Sequence, residues 1–291
     1  MTTITLRVKH APGFRVHGSP LLPSALSALS RDAIERMLLS AGNEAFAIGD
    51  LFDVSLAPKT GEADDEASIV IEGDARWLDG VGAQLDAGSV RVTGSVGDYA
   101  GLRMTGGTLD IEGDAGHFTG CEMRGGRLTV AGHSGDFVAG ARTGAMEGMT
   151  GGTLVVAGNT GARLADRMRR GTVLIGGDTG DYAASRLVAG TIGIAGRLGA
   201  HYGYGMRRGT LLLLQRPERV PPTFTAGGRG FDVFWSLFAR ALAAQCSEFA
   251  SASALMKQRL APFAALDART LPQRYAGDLA VDGRGELLIV E

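Results

Sequence analysis

One phrase recurs along the middle of this 291-residue chain, and its spacing restricts what the chain can fold into. Its opening glycines are Gly88, Gly107, Gly126, Gly152, Gly171, Gly190 and Gly209, at steps of 19, 19, 26, 19, 19 and 19. The 26-residue step is one unit with seven extra residues (26 − 19), carried within Gly140–Met149. A further unit begins upstream near Ala67 at a step of 21, and Gly209–Leu214 is a partial last one. The phrase explains why glycine occurs 45 times, about twice its usual share of ~7%. There is no Gly-X-Y period, so a collagen triple helix is excluded.

Counting the opening glycine as position 1, positions 3 and 5 are apolar: Val90 and Val92, Leu109 and Ile111, Leu128 and Val130, Leu154 and Val156, Val173 and Ile175, Ile192 and Ile194. That alternation predicts a short strand with one buried face. Positions 7 and 10 are glycine (Gly94 and Gly97, Gly113 and Gly116), which suits a sharp bend or a close approach of backbones. Position 17 is methionine at Met104, Met123, Met149, Met168 and Met206, with Leu187 once, and predicts a core ladder. Tyr99, Phe118, Phe137 and Tyr182 share position 12 and predict an aromatic ladder at a corner. No single unit can bury its apolar face alone, but stacked units can. The fold class expected is mainly β: a right-handed parallel β-helix of about seven to eight coils, with a long C-terminal α-helix. Nineteen residues without a hexapeptide register favour the right-handed over the left-handed form.

Three regions follow: residues 1–66 as a helix and strand cap, 67–214 as the β-helix, and 215–291 as linker, amphipathic helix and tail. In the first, Ser30 is a candidate N-cap and Gly42 a candidate stop for a helix over "SRDAIERMLLSAGN". Leu51–Pro58 is a candidate strand to start the stack, followed by the charged loop "KTGEADDEAS". The first unit carries Arg76 where others have glycine, so an irregular start is expected. In the last region, apolar residues at steps of three and four predict a helix over 231–260, ended before Pro262. A turn at Asp282-Gly283 and a short strand complete the tail. Position 4 should point outward, yet turns from polar (Arg91, Asp110, Thr129) to apolar (Val155, Leu174, Leu212). Either the 231–260 helix or a partner must cover that face.

Net charge is −2, without the basic surface that nucleic-acid binding requires. Two cysteines, Cys121 and Cys246, make neither a disulfide framework nor a zinc set. No apolar run nears the ~18 residues that span a bilayer, and the N-terminus lacks a signal-peptide pattern, so no membrane partner and a cytoplasmic location are expected. "GYGMRRG" lacks dinucleotide-loop spacing, and the aspartates of "GGDTGD" do not recur as calcium repeats require. His10, His17, His117, His133 and His201 share no column. Asp98, Asp136 and Asp181 share position 11, but never in adjacent units, as a polysaccharide-cleaving enzyme would need. No catalytic, cofactor-binding or metal-binding residue is therefore assigned. Arginines remain: Arg103, Arg167 and Arg186 at position 16, Arg124, Arg169 and Arg207 at 18, and Arg170 and Arg208 at 19. Stacking puts them on one edge, and Arg167, Arg169, Arg170, Arg207 and Arg208 are the candidates to meet carboxylates of a partner or an anionic ligand.

Repeats such as "GGTLDIEGDAGHFTGCEMRGG", with one enlarged unit "GDFVAGARTGAMEGMTGG", resemble the C subunit of formylmethanofuran dehydrogenase over roughly residues 45–215. That family is similar to the C-terminal β-helix domain of glutamate synthase. "RYAGDLAVDGRGELL" (274–288) resembles the version found in the formyltransferase/hydrolase complex of aerobic C1-oxidising bacteria. The resemblance implies a non-catalytic structural subunit. The complex moves a formyl group from tetrahydromethanopterin to a methanofuran-type carrier and hydrolyses it to formate. It also implies three partners: an amidohydrolase-like catalytic subunit, a formyltransferase subunit and a further subunit. The metal and the carrier are expected in those partners and no cofactor in this chain. Alternatives are the C subunit of a dehydrogenase complex and an independent carbohydrate-active β-helix protein. The arginine edge would contact acidic partner residues or the polyglutamate tail of the carrier.

Overall fold

A computed structural model describes residues 2–58, 67–228, 230–250 and 254–290. The chain is mainly β and is organised around one 13-stranded sheet. Its centre is a run of parallel four-residue strands: Ser89–Val92, Thr108–Ile111, Arg127–Val130, Thr153–Val156, Thr172–Ile175, Thr191–Ile194 and Thr210–Leu213. Equal positions of successive repeats are partners: Val90 with Leu109, Leu109 with Leu128, Leu128 with Leu154, and on to Leu211. The step from Leu128 to Leu154 keeps this register because the extra residues leave the strand untouched. A second parallel line joins position 9 of successive repeats, Ala115 to Ser134 to Thr160 to Thr179 to Leu198.

The backbone conformation at the corner that carries the aromatic column was not legible in the sequence. Positions 12, 14 and 16 adopt left-handed backbone, even where they are not glycine: Tyr99 (φ 62), Phe118 (φ 60), Arg163 (φ 59), Ala165 (φ 55), Arg167 (φ 57) and Arg186 (φ 55). Such a conformation costs roughly 1–2 kcal/mol per residue. The compensation is hydrogen bonding to both neighbours in turn. Tyr99 N donates up to His117 O (2.8 Å), Gly101 N down to Val81 O (2.9 Å), and Arg103 N up to Cys121 O (3.0 Å). The backbone therefore satisfies its donors between repeats, although this segment is not a strand.

Inside the stack, positions 3 and 5 and the methionine column form one core; Met104, Met123, Met149, Met168 and Met206 are fully buried. A second core lies on the other face of the sheet. There Val155, Leu174, Leu212 and Leu288 pack with Trp235, Leu242, Cys246, Phe249, Leu260 and Phe263. The outward apolar positions are thus covered by the chain's own helical segment. Beside the short N-terminal helix α1, Arg31–Arg36, two helices supply it: α2, Asp232–Ala250, and α3, Ala254–Ala264. Residues 251–253 of the expected 231–260 helix lie outside the described residues. The expected stop before Pro262 does not occur, because α3 carries helical structure to Ala264. A proline inside a helix costs about 3 kcal/mol through the lost hydrogen bond and the ring's clash with the preceding turn, and burying Phe263 with Leu260 and Met256 offsets it at about 1.5–3 kcal/mol for each side chain. Phe263 sits against Gly193, where a side chain would leave no room for its ring.

The N-terminal region corrects three further expectations. Ser30 does cap a helix, its side chain accepting from Ala33 N (3.3 Å), but α1 is only Arg31–Arg36. Leu38–Ala41 is instead a strand paired with Glu44–Ala47, so Gly42 (φ 64) serves a hairpin turn. Phe52–Pro58 is a strand, yet it does not start the parallel stack. It pairs antiparallel with Thr2–Val8, and Thr2–Val8 lies parallel to Ser68–Glu72. Most of "KTGEADDEAS", residues 59–66, lies outside the described residues. Finally, Arg76 does not replace a glycine. Gly97 N donates to Leu78 O as Gly116 N donates to Gly97 O, so Leu78 is the position-10 counterpart, and Arg76 and Trp77 are the two residues of the longer step. At the far end, Gly285–Ile289 pairs parallel with Thr210–Leu213 and antiparallel with Gln273–Gly277, around a turn with Asp282 at φ 51.

A candidate docking edge

The residue types that usually carry chemistry are mostly engaged in holding repeats together. Five consecutive position-8 side chains each accept the backbone N–H of position 8 in the next repeat. Ser95 accepts from Asp114, Asp114 from His133, His133 Nδ1 from Asn159, Asn159 from Asp178, and Asp178 from Arg197, at 2.7–3.0 Å. Position 11 does the same: Asp98 accepts from His117, His117 Nδ1 from Asp136, Asp136 from Ala162, and Asp181 from Ala200. The backbone and side-chain bonds from Arg197 hold the Asp178 carboxyl below the usual range; its partial burial opposes them. The position-12 rings stack as expected, Tyr99 on Phe118 (4.9 Å) and Phe118 on Phe137 (4.8 Å). The guanidinium of Arg163 bridges from Phe137 (5.7 Å) to Tyr182 (5.0 Å), and His201 extends the column (4.9 Å). Arg163 was hidden in the sequence because a flat guanidinium can take a ring's place in a stacked column without being aromatic.

The arginine rows divide. At position 16 they serve buried carboxylates of the chain itself. Arg103 Nε donates to Glu122 at 2.7 Å, and Arg142 Nε, from the enlarged unit rather than position 16, joins it at 2.8 Å. Burial pushes the Glu122 carboxyl up, but the bonds from Arg142 and Arg103 outweigh it and leave it below the usual carboxylate range. Arg186 is bidentate on Asp166 (2.8 Å to each oxygen), with Arg167 at 3.8 Å from the same group. At position 18, Arg169 pairs with Glu147 of the enlarged unit at 2.8 Å, both partly exposed. Arg170, Arg207 and Arg208 are exposed and have no carboxylate partner among the described residues.

The extra residues of the enlarged unit are 142–148. Ala139 and Met149 keep their usual places, with Ala139 N bonded to Thr119 O and Met149 N to Ala139 O. The loop leaves the stack at the arginine edge. Gly148 N donates to Arg167 O (2.9 Å) and Arg167 donates to Ala145 O. Across from it stands the turn at Leu279–Val281. It is anchored by buried Asp278, whose carboxylate accepts from Gly205 N (2.9 Å) and Ala280 N (3.0 Å). Burial raises the Asp278 carboxyl, and bonds from Thr223, Gly205 and Ala280 bring it below the usual range. Between loop and turn lies an open cavity of about 580 Å³. Arg167, Arg169, Arg186 and Arg207 line it with Met146 and Tyr204. Of the five expected edge residues the structure therefore brings three together; Arg170 and Arg208 lie outside this cavity.

Comparison with known proteins agrees with this architecture. The GXGXG motif family model matches residues 74–225, 152 of 291 positions (225 − 74 + 1). The Fhc C subunit of the formyltransferase/hydrolase complex of Methylorubrum extorquens is 40% identical over 93 residues, 32% of each chain. The C subunit of tungsten-containing formylmethanofuran dehydrogenase 2 of Methanothermobacter wolfeii is 32% identical over 101 residues, 35% of this chain and 37% of that one. These matches span about a third of the length of the curated relatives. A chain in the crystal structure of the formyltransferase/hydrolase complex FhcABCD from Methylorubrum extorquens, determined with methylofuran, superposes with a TM-score of 0.84. It is 38% identical, and the match covers 99% of both chains. The chain belongs to the GXGXG motif family, and is similar over nearly its whole length to a chain of that formyltransferase/hydrolase complex.

Proposed function

We propose that this chain is the C subunit of a formyltransferase/hydrolase complex, a structural component without an active site of its own. The observation that carries this is the 38% identity and TM-score of 0.84 over 99% of both chains. The engagement of Asp98, Asp114, Asp136, His117 and His133 in rungs between repeats supports it, because those acceptors serve the stack. The same engagement speaks against a carbohydrate-active enzyme, which needs two free carboxylates on one face. The fold is a right-handed parallel β-helix of about seven to eight coils over 67–214. Residues 1–66 cap it, and the helical segment within 215–291 braces its flank.

In this reading the partners are an amidohydrolase-like catalytic subunit, a formyltransferase subunit and a further subunit, in the cytoplasm. The metal and the methanofuran-type carrier belong to those partners. Arg167, Arg169, Arg170, Arg207 and Arg208 face a partner or the carrier's acidic tail. A second reading, the C subunit of a formylmethanofuran dehydrogenase, draws on the 32% identity to the Methanothermobacter protein. Among the described residues no helix is long and apolar enough to cross a membrane.

The test is to tag the chain at its genomic locus and identify co-purifying proteins by mass spectrometry. A formyltransferase and an amidohydrolase are expected; redox subunits instead would favour the second reading. If the other subunits assemble and work normally once this chain is deleted, the scaffold role is wrong.

A further inference from the structure

The cavity beside the enlarged unit combines features that stacking does not require. Met146 at the tip of the loop is 83% exposed, and Tyr204 is 63% exposed. Val281, on the opposite turn, is 43% exposed. Three large apolar side chains thus stand in solvent around one opening, where burial in the stack was available to their neighbours. Between them lie guanidinium groups. Arg186 and Arg167 are occupied with buried Asp166 and Arg169 with Glu147, but Arg207 has no carboxylate partner among the described residues. The acid that lines the cavity, Asp278, is buried with its oxygens turned to backbone N–H groups, so its charge is already answered. The chain as a whole carries −2, yet this edge, with Arg170 and Arg208 flanking it, is cationic.

Exposed Met, Tyr and Arg around one depression are the residue types that protein interfaces enrich, and arginine and tyrosine are the common energetic anchors. An unpaired guanidinium in such a rim calls for a carboxylate, which it can bind in bidentate geometry.

We infer that this slot receives a segment of a partner subunit in which an acidic side chain lies next to a large apolar one. The carboxylate meets Arg207, and the apolar side chain enters between Met146, Tyr204 and Val281. The inference rests on the subunit reading and names the chemistry of one contact. It also gives the seven extra residues a purpose: they build one wall of the slot while leaving the strand register intact.

The experiment uses the complex purified through a tag on this chain. Arg207→Glu and Met146→Asp are compared with Arg240→Glu, on an exposed position of α2 away from the slot. Arg207 and Met146 are both solvent-exposed, so thermal midpoints equal to the parent's are expected and loss of assembly then reports on the slot. Dissociation on dilution is followed by mass photometry at low and high salt. Each slot variant should weaken association about tenfold or more. The Arg207→Glu defect should be larger at low salt, and Arg240→Glu should behave as the parent. A photo-crosslinker placed at Tyr204 should capture a partner peptide containing Asp or Glu. Parent-like assembly of both slot variants, or a captured peptide without an acidic residue, overturns the slot while leaving the subunit reading in place. A parent chain that co-purifies with no other subunit overturns both.

Discussion

The glycines that open each repeat and the methionines that close it are one device. A Cβ on Gly126 would lie 2.7 Å from Met104 Cε, on Gly152 2.8 Å from Met123 Cε, and on Gly171 2.8 Å from Met149 Cε. These glycines also sit at positive φ (79°, 90° and 101°) and close to a carbonyl of the repeat below. Gly171→Ala should therefore destabilise by about 2–4 kcal/mol, from backbone strain and overpacking together, as read by urea unfolding. Met149→Ala in that background should not restore stability, because the Gly152 carbonyl remains 2.8 Å away.

Glu122 gives a prediction in pH. Its folded carboxyl is held low, so its contribution to stability is fully present above the unfolded value of about 4.3 and is lost as pH falls through the lower folded value. Glu122→Gln should flatten that acid limb of a thermal-midpoint profile; an unchanged limb would show that the Arg103–Glu122–Arg142 cluster carries no such linkage. The columns of Met and of rings were legible because stacking maps equal positions onto one another. The Asp and His rungs were not, because a carboxylate accepting a backbone N–H looks, in sequence, like one awaiting a substrate.

At the scale of elements, the bracing of the sheet by α2 and α3 was readable from a single column. Position 4 changes from Arg91, Asp110 and Thr129 to Val155 and Leu174, and the covering starts one repeat before the change, at Thr129, which is already buried beside Arg127 and Phe249. Gln245 of α2 also bonds Thr153 at the start of a strand (3.1 Å). Phe263→Ala should cost about 3–5 kcal/mol, since the ring fills the space over Gly193. A loss below about 1 kcal/mol in chemical denaturation, the scale of an ordinary surface substitution, would mean that the helices rest on the sheet without stabilising it. Elements whose partners are distant in sequence were hidden. Thr2–Val8 reads as a plain alternating segment, and only its pairing with both Ser68–Glu72 and Phe52–Pro58 makes it a member of the stack. Pro262 misled for a related reason, because tertiary burial of Phe263 outweighs a local preference.

For the whole molecule, the constant step makes one repeat a removable unit. Deleting residues 108–126 (19 positions) joins Gly107 to Arg127 and puts Arg127–Val130 directly on Ser89–Val92. This variant should stay folded and cooperative, with a shorter radius of gyration in solution scattering. Deleting one residue fewer shifts inward side chains out of register and should leave the chain insoluble.

Parallel stacks of this kind expose two raw sheet edges, and this one adds a strand running the other way at each end, Phe52–Pro58 at one and Gln273–Gly277 at the other. Phe52–Pro58 closes the first and ends in proline; the two-residue Thr225–Ala226 strand, antiparallel to Gln273–Gly277, closes the second. Short, proline-terminated borders are poor templates for another chain. Growth by adding like to like therefore stops after a set number of layers. The molecule keeps a fixed span, which is the property that the proposed structural role would draw on.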